Sequence, residues 1–122
     1  MRFLVLARGE VVGASDLPYL DDGMGIATGL FLPNERYIDI QPTILAHMLA
    51  DGSLGNDDPV ALERTRENIK NLDMTIQSAE GEHLESELIF IADFSEELEK
   101  DGLEIHVLGL SREARQKFWP HN

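Results

Sequence analysis

Phe3 to Ala7 is continuously apolar and five residues long, the pattern of a strand covered on both faces. Arg8-Gly9-Glu10 is turn chemistry leading into Val11-Val12-Gly13-Ala14, so the chain is expected to open with a hairpin. Ser15-Asp16-Leu17-Pro18 and Asp21-Asp22-Gly23 are further turn segments, flanking the short apolar pair Tyr19 and Leu20. Ile26 to Leu32 then reads as a third strand. Ile26, Thr28, Leu30 and Leu32 form one of its faces and Ala27, Gly29 and Phe31 the other.

Pro33 ends that run, and Asn34 is a good N-cap. Beyond it Tyr37, Ile38, Ile44, Leu45, Met48 and Leu49 recur at helical spacing and predict one buried stripe. Pro42 interrupts the stripe, either opening a second helix at its first turn or kinking a single longer one. Gly52 is a stop signal. Asp58 with Pro59 starts another helix, running through Val60, Leu62, Arg66, Ile69 and Leu72.

From Asp73 the period changes to two. Met74, Ile76 and Ser78 alternate with Thr75 and Gln77, Glu80-Gly81-Glu82 reads as a turn, and Leu88 to Ala92 is the most apolar run, expected to be a central strand. Ser95 to Gly102 reads as a short helical turn or loop. Leu103, Ile105 and Val107 alternate with Glu104 and His106 in a last strand, and Ser111 caps a final helix from Arg112 to Phe118. The pattern predicts an α+β fold: a single mainly antiparallel sheet of about five to six strands, with two middle helices and a short C-terminal helix packed on it. With no repeat or dividing linker, one domain is expected to span residues 1–122.

Composition adds limits. The sequence holds no cysteine, which excludes disulfides, thiolate metal sites and a cysteine nucleophile. The apolar run before Arg8 is too short for a secretory signal core and nothing approaches a membrane span, so a cytoplasmic protein is expected. Net charge is −13, and ten acids between Glu80 and Glu104 stand against Lys100 alone. Such a surface disfavours nucleic acid and anionic membranes and would steer a basic protein.

Candidate chemistry is sparse. Gly23, Gly25 and Gly29 resemble a phosphate loop in spacing, but they precede a strand rather than a helix, and Asp21 and Asp22 would repel phosphate. They are expected instead to permit positive φ, close backbone approach or a bulge. The segment from Asp51 fails the register of a calcium loop, since its fifth, sixth and twelfth positions are Gly55, Asn56 and Leu62. The four histidines, His47, His83, His106 and His121, form no metal-ligand spacing beyond His47 with Asp51. His106 and Glu104 are expected side by side on a wet strand face. No serine lies in a nucleophile elbow. No cofactor, no metal and no catalysis are expected.

Met24-Gly25-x-Ala27-x-Gly29-x-Phe31-x-Pro33-x-x-x-Tyr37 resembles a segment near the start of small bacterial proteins of uncharacterised role, some of them similar to immunity proteins of bacterial toxin systems. That resemblance implies a cytoplasmic interaction domain and carries no site residues. With the charge it gives the leading expectation, a non-enzymatic acidic domain that binds a basic protein, as an immunity-type inhibitor of a toxin would. Glu82, Glu85, Glu87, Glu96, Glu97 and Glu99 are the expected partner-binding residues, and Tyr19, Tyr37, Phe118 and Trp119 the available aromatic anchors. The alternatives are a small-molecule sensor or enzyme with a pocket near Gly23 to Gly29, and a structural subunit that dimerises through a sheet edge. A monomer or a homodimer fits these readings.

Overall fold

The computed structural model describes residues 2–51 and 58–120. Its elements follow in the order β1 (Phe3–Ala7), β2 (Glu10–Ser15), β3 (Tyr19–Asp21), β4 (Ile26–Leu30), β5 (Leu32–Pro33), a 3-10 helix Glu35–Asp39, α1 (Gln41–Ala50) and α2 (Pro59–Lys70). Then come β6 (Met74–Ser78), β7 (Leu88–Asp93), α3 (Ser95–Leu98), a 3-10 turn Glu99–Gly102, β8 (Leu103–Leu108) and α4 (Arg112–Phe118). Residues 52–57, where the calcium-loop comparison and the Gly52 stop fall, and His121 lie outside the described residues.

The fold is α+β, but its strands form two four-stranded antiparallel sheets, ordered β5-β2-β1-β6 and β3-β4-β8-β7, and not the single sheet expected. The difference turns on β6. It does not continue into a meander with β7 and β8. Instead it pairs with β1, with Val5 opposite Ile76 and Phe3 opposite Ser78. That register sets the alternating apolar residues of both strands on one buried face, which pairing with the exposed side of a meander would not do. A further correction concerns the most apolar run. Leu88 to Ala92 lies in β7, at an edge of the second sheet, while the alternating β8 is central.

The opening hairpin forms as expected. Its two-residue turn, Arg8 and Gly9, has positive φ at both positions (51° and 81°), as a turn that matches strand twist requires. A bulge in β2 opposite Val5 and Leu6 inserts Val12, so Val12 and Gly13 are buried in succession. Tyr19 and Leu20 belong to a strand, β3, which pairs with β4. The third strand splits. Ile26 to Leu30 stays in the second sheet, Phe31 turns the corner fully buried, and Leu32 and Pro33 join the edge of the first sheet beside Gly13 and Ala14. Pro33 is tolerated there because its missing donor faces no neighbouring strand.

Two of the three singled-out glycines have a demonstrable role. Gly25 takes φ +67°, and a Cβ at Gly29 would lie 2.8 Å from Pro18 Cδ and Ser15 Oγ. Gly23 shows neither property. None of the three cavities described below reaches residues 23 to 29.

One core serves both sheets. Phe3, Val5 and Ile76 from the first meet Ala27, Ile91, Ile105 and Val107 from the second, together with Leu17, Phe31, Met48 and Leu84. Trp119 closes it, stacked on Phe3 at 5.5 Å with its Nε1 donating to Leu17 O at 3.0 Å. Asn34 caps the 3-10 helix through Arg36 N, and Pro42 lies in the first turn of a separate helix, α1. Asp58 caps α2 by accepting from Val60 N and Ala61 N. The expected stripe is only partly buried: Tyr37, Ile44 and Met48 are inside, but Ile38 is 70% and Leu49 47% exposed. α1 packs on β7, while α2 lies outside it with Thr65 as its buried residue.

Candidate functional site

The six glutamates expected to meet a partner are all exposed. They divide into two groups. Glu82, Glu85 and Glu87 precede β7, and Glu96, Glu97 and Glu99 follow it. Six residues of extended chain separate the groups by about 20 Å, more than twice the Debye length in physiological salt. Each group therefore acts electrostatically on its own. Among the described residues only Glu82 of the six makes an ion pair, with Lys117.

β7, the strand between these groups in the chain, forms one edge of the second sheet and of its outer face. Register places Tyr19, Thr28, His106 and Phe90 in one row across the four strands. Leu88 opposes Leu108 in the next row, and Leu30 opposes Glu104 on the other side. Tyr19 (71%), Leu30 (50%) and Leu88 (53%) are strongly exposed, and Ile26, Phe90 and Leu108 are half-buried. His106 and Glu104 do project side by side, Nε2 to Oε2 at 3.3 Å, with the His106 ring 5.9 Å from that of Phe90. Of the four expected aromatic anchors, only Tyr19 belongs to this surface. Tyr37 and Phe118 are buried, and Trp119 is half-buried under the C-terminal helix.

A buried polar cluster went unrecognised among the surface acids. Asp93 is 2% exposed at the end of β7. Its Oδ2 accepts from Tyr37 Oη at 2.7 Å and Gln41 Nε2 at 3.0 Å, and its Oδ1 from Ser95 N at 2.9 Å and Ser95 Oγ at 2.5 Å. Burial alone would raise this carboxyl, but the hydrogen bonds from Ser95, Tyr37 and Gln41 outweigh it and hold the group below the usual carboxylate range. Burial first, and then the bond to Asp93, push the Tyr37 phenol up. With both oxygens engaged, and with Asp93, Tyr37, Gln41 and Ser95 lining none of the cavities described below, the cluster locks α1, β7 and α3 together rather than meeting a substrate. The one local signal was Asp93-Phe94-Ser95, in which an aspartate caps the turn two residues on.

A groove runs beside β7. Its larger part, about 570 Å³, lies between β7, α1 and α2, and a second part of about 280 Å³ continues it toward β6. The two share Ile69, Lys70, Met74, Glu87, Leu88 and Ile89. His47 lines the larger part and is held by Thr65 Oγ1 at 3.0 Å from Nδ1. Thr65 has one proton to give, and the carbonyl of Ala61 at 2.8 Å takes it, so His47 donates from Nδ1. A smaller recess of about 200 Å³ lies between α1 and the start of α2.

Comparison with protein-family models, curated proteins and solved structures finds no match. Among the described residues no three histidine, aspartate or glutamate side chains gather as a metal site would need, and no helix is long and apolar enough to cross a membrane.

Proposed function

We propose that the chain is a non-enzymatic binding domain whose acidic surface engages a basic protein, with the outer face of the second sheet as the contact surface. One observation carries this reading: a half-apolar sheet face has an edge strand, β7, that is preceded and followed in the chain by exposed glutamates, five of which have no ion pair among the described residues. An apolar centre with a charged rim is the anatomy of a transient protein interface. Tyr19 and Leu88 supply contact area, and the two glutamate groups steer approach and select a cationic partner. An immunity-type inhibitor of a basic toxin, occluding its target by bulk and charge, is the concrete form that the resemblance of residues 24–37 implies.

The test is a purified pair. A basic partner recovered from the source cell is bound at about 50 mM and about 300 mM salt, bracketing the range over which the Debye length falls strongly. Glu82→Gln/Glu85→Gln/Glu87→Gln and Glu96→Gln/Glu97→Gln/Glu99→Gln are compared with the parent chain. Association should slow about tenfold or more at the higher salt and in at least one triple variant. A rate unchanged by salt and by both triple variants overturns the reading.

A further inference from the structure

The sheet order leaves β7 with no strand on its outer side. Which of its peptide groups face that side follows from register. Phe31 N donates to Leu103 O at 2.9 Å, so the odd-numbered residues of β8 bond to β4. The even-numbered ones then bond to β7, as Phe94 N to Gly102 O at 2.7 Å continues. Ile89, Ile91 and Asp93 therefore turn their N–H and C=O groups outward. Met48 Sδ receives the outward N–H of Asp93 at 3.1 Å. Among the described residues nothing bonds the outward groups of Ile89 or Ile91.

These are not ordinary solvated edge groups. Ile89 is 8% and Ile91 2% exposed, and both line the groove beside the helix pair. Main-chain donors and acceptors this close to burial are almost always paired in folded proteins. The groove follows β7 from Leu88 to Ile91, about 13 Å of strand, and Ile44, Met48, Ile69 and Met74 give it an apolar lining. A long trough beside an unpaired strand edge has the shape of an extended peptide.

Charge narrows the occupant. Arg66 and Lys70, one turn apart on α2, both line the groove, and neither forms an ion pair among the described residues. Glu87 lines both parts of the groove, with its side chain packed over Gly109, its Cβ and Cγ 2.5 Å from where a Gly109 side chain would start. Glu67 and Glu87 border the larger part and Asp73 the smaller, and among the described residues none of the three is paired with Arg66 or Lys70. Two cations without an ion pair leave the α2 side of the groove able to take an anionic group, although the chain as a whole carries a net charge of −13.

We infer that the free edge of β7 is a strand-addition site for an extended peptide that alternates apolar side chains and carries a carboxylate facing Arg66 and Lys70. Main-chain bonds to Ile89 and Ile91 supply the affinity, and the apolar lining and the two cations supply the selectivity. Because α2 and Met74 of β6 wall the trough, a single extended segment reaches the edge where the edge of a second folded copy does not. The inference concerns the edge of β7 rather than the outer face of its sheet, which meet at Leu88 and Phe90, and a ligand of opposite charge from the proposed basic partner, and stands without that reading.

The test uses the full chain and an acetylated, amidated octapeptide alternating valine and threonine with one central aspartate. Amide spectra are followed up to about 1 mM peptide, a concentration that reveals weak millimolar binding. The largest shifts are expected at Ile89 and Ile91, with hydrogen exchange at both slowing as the peptide concentration rises. Methylating the peptide nitrogens that face β7 should abolish binding, whereas methylating the alternate set should leave it within about twofold, since in a strand only alternate amides face the ladder. Exchanging the aspartate for asparagine should weaken binding severalfold, and Arg66→Gln/Lys70→Gln should erase that preference. No shift at Ile89 or Ile91 overturns the inference, as does equal binding of both methylated peptides, which would mark a small-molecule pocket. Protection of these amides that grows with protein concentration in the absence of peptide, alongside a dimer mass in sedimentation, would assign the edge to a second copy and overturn it as well.

Discussion

β6 and β7 are both edge strands, one from each sheet, and they border the same gap, but the chain treats them differently. β6 is closed by the segment that leaves it. Ser78 N donates to Glu82 O at 2.7 Å, Leu84 N donates to Ile76 O at 2.8 Å, and Gln77 bridges to His83. Leu84, 1% exposed, pins that cover into the core. β7 has no such cover along its length. It is fastened at its end, where Asp93 binds Tyr37, Gln41 and Ser95, and its middle is left facing a groove. A covered edge cannot recruit another strand, and an edge held only at one end stays available. The contrast separates a structural margin from a recognition margin.

The largest expected effect tests the cover of β6. Leu84→Ala should cost about 3 to 4 kcal/mol in denaturant unfolding, the range for emptying a buried leucine site, and should speed exchange of the Ser78 amide. A loss below about 1 kcal/mol would mean that the cover is dispensable. Asp93→Asn tests the fastening of β7. It sets an amide donor among groups that already donate and should cost about 2 to 3 kcal/mol at neutral pH.

The pH dependence of that cost has a definite sign. The folded-state pKa of Asp93 lies below its unfolded value of about 3.9. Its contribution is therefore complete above about pH 4 and is lost as pH falls through the folded value, so the gap between parent and variant should narrow in acid. Urea unfolding at several pH values would show this, and a gap constant down to about pH 2 would contradict it.

Hydrogen exchange sharpens the comparison within β7 itself. The ladder-bonded amide of Phe90 should exchange about tenfold or more slowly than those of Ile89 and Ile91 in the free protein. Equal rates would show the outward amides to be bonded. The smallest effect lies just beyond the fastening. Glu99 is held at φ 54° and ψ −138°, a region that favours glycine. Glu99→Gly should raise stability by about 1 kcal/mol while removing one charge from the rim after β7. Thermal unfolding would read both the sign and the size.

Much of the local structure was legible. The opening hairpin, the caps at Asn34, Asp58 and Ser111 and the alternation in β6 and β8 all follow from residues close in sequence, so patterning and turn chemistry locate them. Where patterning misled, the deciding partner was remote. A continuous run such as Leu88 to Ala92 reads as central because both of its faces are apolar. In the structure the second apolar face is answered by the helix pair and the groove, not by a strand on each side. The candidate surfaces were half legible: exposure of the six glutamates follows from composition, but their division into two groups follows from the length of β7.

The sequence by itself determined most of the strands and helices and most of their apolar faces, because period, propensity and capping act over a few residues. Tertiary structure alone decided that β6 pairs with β1, that Phe31 carries one extended segment between two sheets, that Asp93 is buried and bonded rather than displayed, and that one strand edge is left open. Each depends on contacts between residues far apart in the chain, where burial and register select among pairings that local patterning leaves equal.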